Sequence, residues 1–200
     1  MVKPQTSSII QSTPLVLDTE ELPVIWVQEI NLDRTQEFIK ELIKLDSDPE
    51  VEAIFIYISS YGGDVFAILA MVEAMLNCNK PIHTVGLGLC ASGGGILLAA
   101  APGMRYITEN SFMHIHHIQT GMNGDLPGIE NDVVQTKKIE DKIFSIITKR
   151  ANISVKELKA RLVDNRREWQ LSATQAKKFG FVDVIGMPNL KKTLVTEVEW

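Results

Sequence analysis

Eight residues, Gly88-Leu89-Cys90-Ala91-Ser92-Gly93-Gly94-Gly95, constrain this chain more than any other stretch. They are small, they hold one hydroxyl between glycines, and they sit between two apolar runs. The run before, Ile82–Leu87, predicts a strand; the run after, Ile96–Ala101, predicts a helix. A strand, a tight glycine turn and a helix together lift a serine above a sheet and aim backbone N–H groups beside it. The unit before it has the same plan. Val51–Ser59 is a near-continuous apolar strand, as expected where both faces are covered. Gly62-Gly63 ends it, and Asp64 begins a helix over Val65–Cys78. Strand, helix, strand in this order predicts a parallel crossover.

The same reading extends along the chain. Pro23–Ile30 predicts a strand, and Asn31 caps a helix over Leu32–Leu45 with Phe38, Ile39, Leu42 and Leu45 on one face. Short strands are expected at Arg105–Ile107 and Ser111–His116. A glycine-rich loop, Gln119–Gly128, precedes a long amphipathic helix over about Ile129–Arg150. Ser154 with Glu157, and Ser172 with Gln175, have the spacing of capping boxes. Phe181–Ile185 predicts a last strand. The class is therefore α/β, with helices packed on short parallel strands.

Composition narrows the setting. The 200 residues are 45% hydrophobic, enough for one full core. We expect a flexible segment over residues 1–22 and a single domain over 23–200, with a protruding handle over about 117–150. The net charge of −5 argues against nucleic acid as the main partner. Cys78 and Cys90 form neither a metal spacing nor a disulfide framework, so a reducing, cytoplasmic compartment is the simple reading. Residues 1–20 lack a signal-peptide layout. No apolar run reaches the roughly 18–20 residues of a membrane span. No cofactor is expected.

The chemistry rests on Ser92 and on the cluster His114-Ile115-His116-His117. Imidazole can take a serine proton and return it to a leaving amine. His114 and His116 share one strand face and His117 takes the other. Spacing alone does not say which face meets Ser92. A zinc reading of His-x-His lacks a third ligand. Gly62-Gly63 lets a main chain approach closely and offers an N–H donor. Asp164 and Glu168 are the candidate orienting carboxylates, both in the charged stretch before Trp169.

Together these segments resemble the ClpP family of self-compartmentalised serine proteases, from about Pro23 to Gly186. The family's Y-I-N-S-P-G-G stands here as Tyr57-Ile58-Ser59-Ser60-Tyr61-Gly62-Gly63. Its G-Q-A-A-S-M-G-A stands as Gly88 to Gly95, and its N-S-x-x-M-I-H-Q as Asn110 to His117. Its closing motif, R-D-x-x-(L/M)-S-A-x-E-A-x-x-(F/Y)-G-(L/I)-(V/I)-D, stands as Arg167 to Asp183. The resemblance implies a ClpP/crotonase-like spiral of strand-strand-helix units with a handle. It implies Ser92 as nucleophile, His116 as base and Glu168 as third triad member. Gly63 and Gly93 would donate to the oxyanion. Peptide would bind along Gly62, Gly63, Asp64, Val65, His117, Ile118 and Gln119. Arg167 would link ring contacts to the triad. The implied partners are peptide or unfolded-protein substrates, further copies in stacked heptameric rings, and an AAA+ ATPase.

Four positions depart from the family pattern. Glu168 replaces aspartate, Tyr61 replaces proline, Gly93 replaces methionine, and the N-terminal segment that meets the ATPase matches poorly. These departures motivate two alternatives to an endopeptidase: a non-catalytic ClpP-like subunit, and a phage-type head-maturation protease.

Overall fold

A computed structural model describes residues 23–165 and 168–188. The expected flexible segment over residues 1–22 and Arg167 lie outside the described residues. The elements run β1 (Val24–Val27), α1 (Leu32–Ser47), β2 (Ile54–Ser60), α2 (Val65–Leu76), β3 (Ile82–Ala91), α3 (Gly93–Ala100) and β4 (Arg105–Ile107). There follow β5 (Phe112–His116), α4 (Leu126–Thr148), α5 (Val155–Asp164), β6 (Glu168–Ser172), α6 (Ala173–Lys178) and β7 (Val184–Ile185). The class is α/β, as expected. β1, β2, β3, β4 and β7 pair in that order, all parallel. β5 pairs parallel with β3 and antiparallel with β6.

The strand that carries the site differs from its sequence reading. β3 does not stop at Leu87 but continues to Ala91. Its first half pairs with β4 through Thr84–Gly86, and its second half pairs with β5 through Leu89–Ala91. Gly88, at φ +62°, makes the bend between the halves, and the pairing with β2 shifts there. Glycine is needed because an L-side chain in that conformation is strained. One strand thus changes neighbours and carries Ser92 out at its C-terminal end.

Three further boundaries move for local reasons. α4 begins at Leu126, not Ile129, because Asp125 caps it by accepting from the Gly128 N–H, with proline in the first turn. The β1 strand ends at Val27, and Ile30 instead forms an isolated parallel bridge to Gly63. The last strand shortens from Phe181–Ile185 to Val184–Ile185, with Phe181 and Val182 buried as core. The sequence pattern predicts no strand over Glu168–Ser172. The structure places β6 there, with Trp169 and Leu171 buried between exposed Glu168 and Gln170.

The core is one cluster of aliphatic side chains from β1–β3 and α1–α3, continued by α4 and α5. One buried cation, one exposed cation and helix caps tie its edges. Arg105, 2% exposed, forks onto Asp183 at 2.6 and 3.0 Å, and Arg150 adds a third bond to Asp183 at 3.4 Å. Ser154/Glu157 and Ser172/Gln175 form the expected capping boxes. In α4 the buried residues are Ile143, Phe144 and Ile147, all in its last turns. Burial of each stabilises by about 1.5–3 kcal/mol. Its N-terminal half keeps Leu126 and Val134 exposed. Among the described residues, no helix is long and apolar enough to cross a membrane.

Candidate active site

Ser92 links β3 to α3 with φ 52° and ψ −120°. It is the one non-glycine residue at positive φ among the described residues. Such a backbone costs about 1–3 kcal/mol and persists only where surroundings enforce it. Here they do. The Ser92 N–H donates to the His114 carbonyl at 2.9 Å, and the Ser92 carbonyl accepts from Ile96 at 3.0 Å. Ser92 precedes the helix as its N-cap, yet its side chain makes no capping bond. The hydroxyl is therefore free for other work. Gly93 opens α3, so its N–H is one of the first-turn donors that no helical carbonyl satisfies.

The three glycines of the turn and the Gly62-Gly63 pair are set by close approach. A Cβ on Gly62 would stand 2.6 Å from Ser92 Cβ and 2.9 Å from the Gly93 nitrogen, and Gly62 has φ +101°. A Cβ on Gly63 would stand 1.8 Å from the Ile30 carbonyl oxygen. A Cβ on Gly93 would overlap Ile68 at 2.4 Å. The backbone at Gly62 thus passes directly over the Ser92 turn. Asp64 spends its carboxylate on the cap of α2, accepting from Phe66 and Ala67 at 2.9 and 2.8 Å.

A cavity of about 540 Å³ opens here. Ser92 and His116 both line it, with Gly63, Asp64, Val65, Ile118 and Gln119 along its length. Ile68, Ile96, Ile143, Phe144 and Ile147 form its apolar wall. Tyr61 and Phe66, both strongly exposed, stand at its mouth. Gly62, Gly93 and His117 are not among its lining residues.

The histidines divide in an unexpected way. His116 Nδ1 lies 2.5 Å from the carbonyl oxygen of His117. His117 turns to α4, where its Nδ1 meets Glu140 Oε2 at 3.0 Å and its ring packs on Phe144. His114 and His116 stand side by side, ring centroids 5.6 Å apart. Glu168 is the cross-strand partner of His116 by backbone pairing. Its Oε2 nevertheless lies 3.6 Å from Nε2 of His114, the diagonal neighbour. Burial pushes the His114 imidazole below its ordinary pKa; His116 adds to this and Glu168 opposes it. Asp164 is exposed at the end of α5. Sequence reasoning missed the His117–Glu140 and His114–Glu168 pairs. No local signal joins positions 23 residues apart in the first case.

Comparison with known proteins identifies the family. The Clp protease family model matches residues 11–189. The ATP-dependent Clp protease proteolytic subunit 1 of Rhodopirellula baltica is 31% identical over 169 residues, 82% of this chain and 73% of that protein. The proteolytic subunit 2 of Treponema pallidum is 31% identical over 77% of this chain and 76% of its own length. The proteolytic subunit of Deinococcus radiodurans is 30% identical over 74% and 71%. With a parallel-dominated α/β sheet and a match over most of its length, this chain belongs to the Clp protease family and is a serine-type peptidase.

Proposed function

We propose that this chain is an endopeptidase in which Ser92 is the nucleophile and His116 the general base. The observation that carries the reading is the left-handed Ser92 turn opening into the cavity that His116 also lines. Ser92 Oγ attacks the scissile carbonyl while His116 Nε2 takes its proton. The Gly63 and Gly93 N–H groups receive the oxyanion. His116 then protonates the leaving amine, and water repeats the sequence to release the acyl group. Ser92 and His116 are not hydrogen-bonded to one another among the described contacts. Catalytic bonds of unliganded sites commonly tighten only with substrate.

Substrate lies extended, paired on one side with Gly62–Val65 and on the other with His117–Gln119. The chain assembles with copies of itself through the uncovered half of α4, in stacked heptameric rings. An AAA+ ATPase feeds the chamber with unfolded protein. The free thiols of Cys78 and Cys90 suit a cytoplasmic setting.

The test is intact-mass spectrometry after a fluorophosphonate probe, with Ser92→Ala as control. One adduct on the wild type, absent from the variant, is the expected result. An adduct that survives Ser92→Ala would refute the assignment. One observation favours a second reading, a non-catalytic subunit: the Glu168 carboxylate faces His114 and not His116. An assembled wild-type protein that never takes the probe would select it.

A further inference from the structure

The His117–Ile118 peptide unit joins two groups that matter. Its carbonyl oxygen, on His117, lies 2.5 Å from His116 Nδ1. Its N–H, on Ile118, donates to Glu140 Oε2 at 3.0 Å. The same carboxylate oxygen takes the His117 ring nitrogen at 3.0 Å. Glu140 is largely buried, its side chain 15% exposed. We infer that Glu140, on α4, is a positioning residue for His116 and does through this peptide unit what the aligned Glu168 would do by direct contact. The inference rests on the reading of Ser92 and His116 given above.

A carbonyl oxygen only accepts, so His116 Nδ1 carries the hydrogen and Nε2 is left with its lone pair for the serine proton. A trans peptide is planar with N–H and C=O pointing oppositely, so fixing the N–H on Glu140 aims the C=O at His116. The carboxylate charge also polarises the peptide along that line. This strengthens the carbonyl as acceptor when the imidazolium forms. The peptide is thus interposed between carboxylate and imidazole. Glu168, 58% exposed and turned to His114, makes no such contact.

The test compares Glu140→Gln, Glu140→Ala and Glu168→Gln on a short fluorogenic peptide, with sedimentation and thermal melting as controls. Glu140→Gln keeps an acceptor oxygen in the same place and removes only the charge, so it should fold. Its kcat should fall about three- to tenfold with KM little changed. Glu140→Ala removes the anchor as well and should lose about 10²-fold in kcat, within the range of general-base contributions. Glu168→Gln should lose less than Glu140→Gln. A Glu140→Gln enzyme with wild-type kcat overturns the inference, whether or not Glu140→Ala folds, and so does the reverse order of the two Gln variants. Ser92→Ala runs in parallel. If it is dead while Glu140→Gln is fully active, the inference alone fails. If it still turns over, the reading of Ser92 fails.

Discussion

The carbonyl oxygen of His114 accepts the backbone hydrogen of Ser92 at 2.9 Å. This bond extends the β3–β5 ladder by one step past Ala91 and His114. It holds the Ser92 turn against the strand that carries His116. The backbone separation of Ser92 and His116 is therefore set by sheet pairing, and a loop hinge plays no part in it.

Gly62→Ala should abolish acylation without unfolding the protein. The added methyl would meet Ser92 Cβ at 2.6 Å and sit beside the Gly93 nitrogen at 2.9 Å, on a residue at φ +101°. On the proposed mechanism, displacing the Gly93 N–H costs about 10²–10³ in rate, and blocking the Ser92 hydroxyl adds to that. The probe reaction rate, measured beside an unchanged circular dichroism spectrum, checks this.

Asp183→Ala should be among the most destabilising single changes. Arg105 is buried, and Asp183 accepts from its backbone N–H at 2.9 Å as well as from its guanidinium. Burial alone would raise the Asp183 pKa; the Arg105 bonds and charge, helped by Arg150, bring it below the usual carboxylate value. Leaving Arg105 buried without its partner should cost about 3–5 kcal/mol. Urea unfolding of the variant measures it, and a loss below about 1 kcal/mol would refute the account.

Stability should fall as pH drops below about 6.5, partly through His83. Burial lowers its pKa from the ordinary 6.5, and its Nδ1 accepts the Met104 N–H at 2.8 Å. Protonation there would break the bond. Between the lowered folded value and 6.5 the unfolded chain binds more protons, so stability rises with pH and is lost on acidification. His114, also lowered, contributes with the same sign. His83→Gln should flatten the slope of unfolding free energy against pH between about 5 and 7. An unchanged slope would remove His83 from the explanation.

Val134→Asp should dissociate the assembly and leave the single chain folded. Val134 is 49% exposed on the N-terminal half of α4, so the change buries no charge within the single chain. Sedimentation velocity should show a smaller species with an unaltered circular dichroism spectrum. Intact high-mass particles would move the contact off this face.

What the sequence made legible follows from what acts locally. Ser92, the glycine turns and the capping boxes are short-range devices, and each is visible as residue type at fixed spacing. Strand β6 was hidden because its polar-apolar alternation, Glu168 to Ser172, holds only two apolar residues, Trp169 and Leu171, too few to carry a period alone. That alternation becomes meaningful only once β5 is there to pair with it. Glu168 stands opposite His116 by backbone pairing, but its longer side chain reaches the diagonal neighbour instead. Such a choice between adjacent and diagonal partners is settled by side-chain geometry. Glu140 was invisible because its partners, His117 and Ile118, come from the segment after β5, 23 and 22 residues earlier in the chain. Only the docking of α4 through Phe144 brings them together.

The left-handed backbone of Ser92 has an evolutionary consequence. Glycine would occupy φ 52° without strain, so Ser92→Gly should fold at least as stably while losing the hydroxyl. Selection for fold stability alone would favour glycine at this position, because the exchange relieves the strain. A serine in that conformation marks a residue held against the gradient of stability.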